Sequence, residues 1–136
     1  MIIDACILFN ELDLLELRLS ELDPVVDRFV IVEATRTHKG TRKPLHYAET
    51  KRRFAQWEGK IEHIIVGDLP QGEGIAAIRR REMTQRNAIL RGLRDCADDD
   101  VVMISDCDEL PRARCVPSHV DDGMIVTYFQ KLHYYN

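Results

Sequence analysis

No stretch of this chain is apolar for long enough to cross a membrane. Its longest hydrophobic runs, such as Phe29–Val32 and Val101–Ile104, stop far short of the roughly 18 to 20 residues that a spanning helix needs. Glycine and proline are sparse, at 7 and 5 residues, which excludes a linker or a low-complexity chain. The opening Met1-Ile2-Ile3-Asp4 has no basic region and no small-residue cleavage site. A secretory signal is therefore not expected, and a cytoplasmic location is the default. Net charge is only -4, so the overall balance offers no general attraction to nucleic acid or an anionic membrane. The four cysteines, Cys6, Cys96, Cys107 and Cys115, lack zinc-ligand spacing. The histidines His38, His46, His63, His119 and His133 show no paired spacing either. Reduced, structural thiols are expected, with Cys6 and Cys107 packing as small hydrophobes.

What is present suffices for one core. The 136 residues, 45% hydrophobic and 31% charged, match a single globular domain and are too few for two. Ile2–Phe9 is apolar and β-branched, and polar residues at Asn10-Glu11 suit the start of a helix. In that helix Leu12, Leu15, Leu19 and Leu22 form the buried stripe, widened by Leu14 and Leu17. Glu11, Glu16, Arg18 and Glu21 fall on other faces. Asp23-Pro24 ends the helix, and Arg28–Glu33 is a second buried strand. Thr35–Tyr47, rich in basic side chains, has no steady period and is expected to be a loop. A short helix over Glu49–Trp57, a strand over Ile61–Val66, a helix from about Ile78 to Ala97 and a strand over Val101–Ile104 complete the pattern. Met124–Phe129 is expected to be a fifth strand. Alternating strands and helices predict an α/β fold with a mostly parallel sheet, whose ligands bind at the carboxyl ends of the strands.

Asp106 and Asp108 stand at that edge. Two aspartates at i and i+2 in extended chain share one side, about 6 to 7 Å apart. Such oxygen donors suit Mg²⁺ or Mn²⁺, which keep water ligands and bridge carboxylate to phosphate. Asp-x-Asp alone also occurs in solvated acidic turns. Position after a buried strand and an arginine-rich helix favours the metal reading.

Three blocks then define a resemblance. Phe9-Asn10-Glu11-Leu12-Asp13-Leu14-Leu15-Glu16-Leu17-Arg18-Leu19, Val25 to Ala34 and Ile104-Ser105-Asp106-Cys107-Asp108-Glu109-Leu110-Pro111 together resemble glycosyltransferase family seventeen. Gln85-Arg86-Asn87-Ala88-Ile89-Leu90-Arg91-Gly92-Leu93 lies between the last two. That family includes the beta-1,4-mannosyl-glycoprotein 4-beta-N-acetylglucosaminyltransferases. The resemblance implies a GT-A fold, with residues 1–136 as a nucleotide-sugar-binding domain or the amino-terminal part of one. It also implies a UDP-sugar donor, UDP-N-acetylglucosamine above others, and inverting transfer to a glycan acceptor. On the same basis Asp108 meets the metal directly, and Asp106 lies near ribose or a metal-bound water. Asn10, Glu11, Glu33, Arg86 and Asn87 are implied to lie near the donor.

Each assignment has a structural alternative. Asn10 and Glu11 are also plausible helix caps, and Arg86 is also an ordinary helix arginine. Glu33, an acid ending an apolar strand, needs donors from ligand or protein. Trp57 and Tyr134-Tyr135 suit core packing as well as sugar stacking. The general base is not located; Glu109 is a candidate by proximity, with Asp121 or Asp122 behind it. Two other functions fit parts of the pattern. One is a non-catalytic nucleotide-sugar or glycan-binding module, and the other is a haloacid-dehalogenase-like phosphatase with Asp106 as nucleophile.

Overall fold

Four apolar runs become four parallel strands. The structure, a computed structural model, describes residues 1–129. In chain order its elements are β1 (Ile2–Leu8), α1 (Leu12–Leu22), β2 (Arg28–Ala34), α2 (His46–Glu49), β3 (Ile61–Val66), α3 (Gly74–Asn87) and β4 (Val101–Asp106). Segments of 3₁₀ helix cover Lys51–Lys60, Ala88–Gly92 and Ala113–Cys115. The sheet order is β3-β2-β1-β4, parallel throughout, giving a Rossmann-like α/β architecture. Ile7 pairs with both Val32 and Asp106, so the ends of three strands arrive level with one another.

Alternation along the strands divides the core into two layers. Cys6, Leu8, Phe29, Ile31 and Met103 face one side, where Leu15, Leu19 and Leu22 of α1 cover them with Tyr47, Phe54 and Trp57. Ile3, Ala5, Val30, Val32 and Val66 face the other, under Ala88 and Ile89. The central strands β1 and β2 are covered on both faces, which is why they read as nearly continuous hydrophobic runs, while Ile65 of β3 and Ile104 of β4 remain exposed at the sheet edges. Trp57 belongs to this core. Gly92 lets the segment after α3 lie on β2: a methyl added there would sit 2.6 Å from Val30 Cγ1. Gly92→Ala is accordingly expected to cost about 1–3 kcal/mol through overpacking, read as a lower urea midpoint at unchanged m-value.

Several expectations need correction. The helix expected to run to Ala97 ends at Asn87 and tightens into 3₁₀ geometry up to Gly92. The short helix over Glu49–Trp57 is instead α2 followed by the Lys51–Lys60 segment, broken at Phe54. The basic loop is shorter than expected, because His46 already begins α2 and Arg36 bridges Arg42. Met124–Phe129 forms no strand: it pairs with nothing among the described residues, and Ile125 and Phe129 are fully open to solvent. Its β-branched composition favours extended chain, but a strand also needs a neighbour to satisfy its backbone. α1 buries Leu15, Leu19 and Leu22 as expected, but the stripe is widened by Arg18, which is completely buried, and not by Leu14 and Leu17, which are exposed. All four cysteines are free, with Cys6 and Cys107 buried and Cys115 exposed. No helix of the described residues is long and apolar enough to cross a membrane. Tyr134, Tyr135 and His133 lie outside the described residues.

Candidate donor and metal site

The level ends of β1, β2 and β4 enclose a cavity of about 740 Å³. Phe9 and Glu11 reach it from the end of β1, and Arg36 to Lys39 and Lys43 from the loop after β2. Glu82, Gln85 and Arg86 of α3 form its wall, and Asp106 to Asp108 its acidic end. Such a crevice is where open parallel sheets bind ligands.

Asp106 is the last residue of β4, and its side chain turns toward α3. There its Oδ1 accepts a hydrogen bond from Arg86 Nη2 at 2.8 Å, with both side chains still partly open to solvent. The chain turns immediately, so the aspartates do not share an extended segment; Cys107 and Asp108 occupy the turn. Cys107 points into the core. Asp108 is exposed on the cavity, and no side chain among the described residues engages its carboxylate. Among the described residues no three His, Cys, Asp or Glu side chains form a metal cage. Asp108 and the remaining oxygen of Asp106 nevertheless fit Mg²⁺ or Mn²⁺, which take one or two carboxylates and fill their shells with water and phosphate.

Glu109 does not line the cavity. Its Oε2 accepts from the Asp106 amide at 3.1 Å, while its own amide donates to the Asp106 carbonyl at 3.1 Å. Both contacts tie it into the turn beside the cavity lining. Glu11 caps no helical amide; its Oε2 accepts from the amides of Phe9 and Asn10 at 3.0 and 3.1 Å. This shapes the exit from β1 beside the cavity. Asn10 lies instead in a smaller cleft with Asp13 and Arg53, and Asn87 is exposed at the end of α3, away from the cavity lining.

Glu33 is fully buried and is met by protein donors rather than open to a ligand. Its Oε1 accepts from the Tyr47 amide at 3.3 Å and Lys43 Nζ at 3.4 Å, and His63 Nε2 lies 3.1 Å from Oε2. Burial opposes ionisation, but the His63 hydrogen bond, the Lys43 charge and the Tyr47 amide together hold its pKa below the ordinary 4.5. Lys43 in turn donates to the Phe9 carbonyl at 3.3 Å, so Glu33 serves the cavity indirectly by holding a lysine on its wall. A depressed folded pKa gives stability that is present above the unfolded value and lost as pH falls through the folded one. Wild-type stability should therefore drop below about pH 4.5 more steeply than that of Glu33→Gln. Urea midpoints measured at successive acidic pH values check this, and parallel curves would refute it.

Residues 1–123 match the model of Glycosyltransferase family 17. The chain belongs to that family. It is 34% identical over 116 residues to the beta-1,4-mannosyl-glycoprotein 4-beta-N-acetylglucosaminyltransferases of Rattus norvegicus and Homo sapiens, an alignment that covers 81% of this chain. The aligned region is 21% of the rat protein and 22% of the human one, so the chain spans about a fifth of these relatives' length. No solved structure matches. Family 17 membership sets aside the phosphatase alternative.

This family 17 chain also carries site residues that periodicity did not single out. Arg81 and Gln85, one turn apart on α3, are both buried. Arg81 donates to the carbonyls of Pro70 at 2.8 Å, His38 at 2.9 Å and Gly72. Gln85 Oε1 lies 2.9 Å from His38 Nε2. Together they pin the basic loop against the cavity. The sequence signal was two large polar residues at i and i+4 on the helix face next to the sheet. Arg18 is the other omission. Its Nε and Nη2 donate to both Asp4 oxygens at 2.7 Å, and Nη2 donates to Ser105 Oγ at 2.6 Å. Its Nη1 donates to the carbonyls of Asp106 at 2.9 Å, Glu109 at 3.0 Å and Cys107 at 3.4 Å. Burial works against the charged guanidinium, but Asp4 outweighs it and raises its pKa above the ordinary arginine value.

Proposed function

We propose that this domain binds a UDP-sugar, UDP-N-acetylglucosamine above others, through Mn²⁺ or Mg²⁺ held by Asp108 and Asp106, for inverting transfer to a glycan hydroxyl. The observation that carries this reading is the meeting of Asp106, Asp108 and Arg86 at one cavity on the carboxyl edge of the sheet. The relatives' names support the choice of N-acetylglucosamine.

Asp108 offers a carboxylate with both oxygens uncommitted among the described residues, so it is the direct ligand. Asp106 divides its oxygens between Arg86 and the metal or its water. Arg86 fixes the Asp106 rotamer and puts a positive charge beside the place where a diphosphate would lie. When bound, the ion supplies Lewis-acid stabilisation of the departing nucleotide diphosphate. Lys39 and Arg36, also on the cavity lining, add cationic charge for an anionic donor.

Isothermal titration with UDP-N-acetylglucosamine, in Mn²⁺ and again in EDTA, tests the reading. Binding that appears with Mn²⁺ and disappears in EDTA is expected; a folded protein that binds no UDP-sugar in Mn²⁺ overturns it. UDP release in the presence of a glycan acceptor then separates a transferase from a module that only binds donor.

A further inference from the structure

The Arg18 network does more than stabilise the core. Resting on the donor-site reading above, we infer that Arg18, held by Asp4, is a positioning residue that fixes the turn carrying Asp106 and Asp108 at the cavity. Arg18 cannot touch a ligand itself, since it is completely buried. Its salt bridge with Asp4 uses only one edge of the guanidinium. The rest of the group is aimed at the carbonyls of Asp106, Cys107 and Glu109 and at Ser105 Oγ. Those residues bracket Asp108 on both sides. Ser105 Oγ also donates to the carbonyls of Asp106 at 3.2 Å and Glu109 at 3.1 Å, closing the turn from within.

The arrangement is costly if stability is its only use. A buried ion pair gives up the hydration of two charges, and apolar side chains of similar volume commonly stabilise a core as well or better. What apolar residues cannot supply is a planar fork of five donors set at fixed angles. α1 thereby dictates where the acidic turn lies, from the face of the sheet opposite α3. Asp106 is then gripped twice, by Arg18 at its carbonyl and by Arg86 at its carboxylate. Such outer-shell contacts are what hold metal ligands in productive geometry.

Two variants separate this role from plain core packing. The double variant Asp4→Leu/Arg18→Met removes both charges and retains apolar bulk. Arg18→Lys keeps a charge opposite Asp4 but loses the fork. Each is followed by melting temperature, by Mn²⁺-dependent UDP titration and by amide hydrogen exchange without ligand. The double variant is expected to stay folded, bind Mn²⁺-UDP about 10- to 100-fold more weakly, and exchange faster in the 105–110 peptide but not in β2 or β3. Arg18→Lys should shift the same two readouts in the same direction, and it carries the test if the double variant does not fold. A folded variant with wild-type affinity and wild-type exchange in that peptide overturns the inference. If the wild-type protein binds no UDP with Mn²⁺ while exchange still rises in the variants, the donor reading fails and the positioning of the turn stands.

Discussion

Asp108→Asn should lower the Mn²⁺-dependent affinity for a UDP-sugar by at least about 100-fold, the upper end of what outer-shell substitutions cost, or about 2.7 kcal/mol. The reason lies in how the two aspartates are occupied. One oxygen of Asp106 already accepts from Arg86 at 2.8 Å, so only part of that group remains for a cation. Asp108 is the exposed acid of the turn that lines the cavity, and its conversion to an amide removes a full negative charge where Mg²⁺ or Mn²⁺ would need it. Asp106→Asn should be milder for the metal, since a neutral amide oxygen at that position still faces Arg86. Because Asp108 carries no structural contact among the described residues, its substitution should leave the melting temperature where it was. Titration of both variants in Mn²⁺ and in EDTA decides the matter. Equal affinity of Asp108→Asn and wild type in Mn²⁺, with EDTA without effect on either, would sink the metal assignment.

The parts legible in the sequence were those that rest on burial. β1 to β4 lie within two residues of their expected ends; for the central β1 and β2 the reason is that a strand covered on both faces must be apolar at nearly every position. The acidic pair was legible for a related reason: it stands where the last buried run stops. The contents of the site were less so. Glu33, an acid ending a buried strand, demands donors from ligand or protein, and the family resemblance places it near the sugar donor. The donors turned out to be Lys43, Tyr47 and His63, which lie 10, 14 and 30 residues away in the chain. Arg81 and Gln85 were harder to read for the same reason: their i and i+4 spacing marks one helix face, but their partners are loop carbonyls and His38, far away in the chain. The fifth strand failed because propensity was asked to do the work of a pairing partner.

Arg18 is the instructive case, because residue type pointed away from its position. It lies on the same face as Leu15, Leu19 and Leu22, so the arginine is buried with them while Leu14 and Leu17, on the flanks of that stripe, are exposed. One clue was available: Asp4 sits within an apolar strand, and an acid buried there requires a cation. Arg18 on the covering helix, 14 residues on, supplies it.

That pairing makes the loss of one partner far worse than the loss of both. Asp4→Leu leaves Arg18 charged and enclosed, with its Nε donor facing hydrocarbon. Removing one member of a buried pair typically costs about 3–5 kcal/mol, which for a domain of this size lowers the melting temperature on the order of 10 °C or more. Asp4→Leu/Arg18→Met should recover most of that loss, because no unpaired charge remains and the Ser105 hydroxyl still reaches the Asp106 and Glu109 carbonyls. A double-mutant cycle from urea denaturation would then show strong positive coupling between the two positions. The exposed cluster of Arg53 with Asp13 and Glu16 provides the contrast. Solvent already screens it, so Arg53→Ala should leave the urea midpoint nearly unchanged. Additive effects of Asp4→Leu and Arg18→Met would mean that the two groups do not depend on one another, and the ion pair would lose its place at the root of the acidic turn.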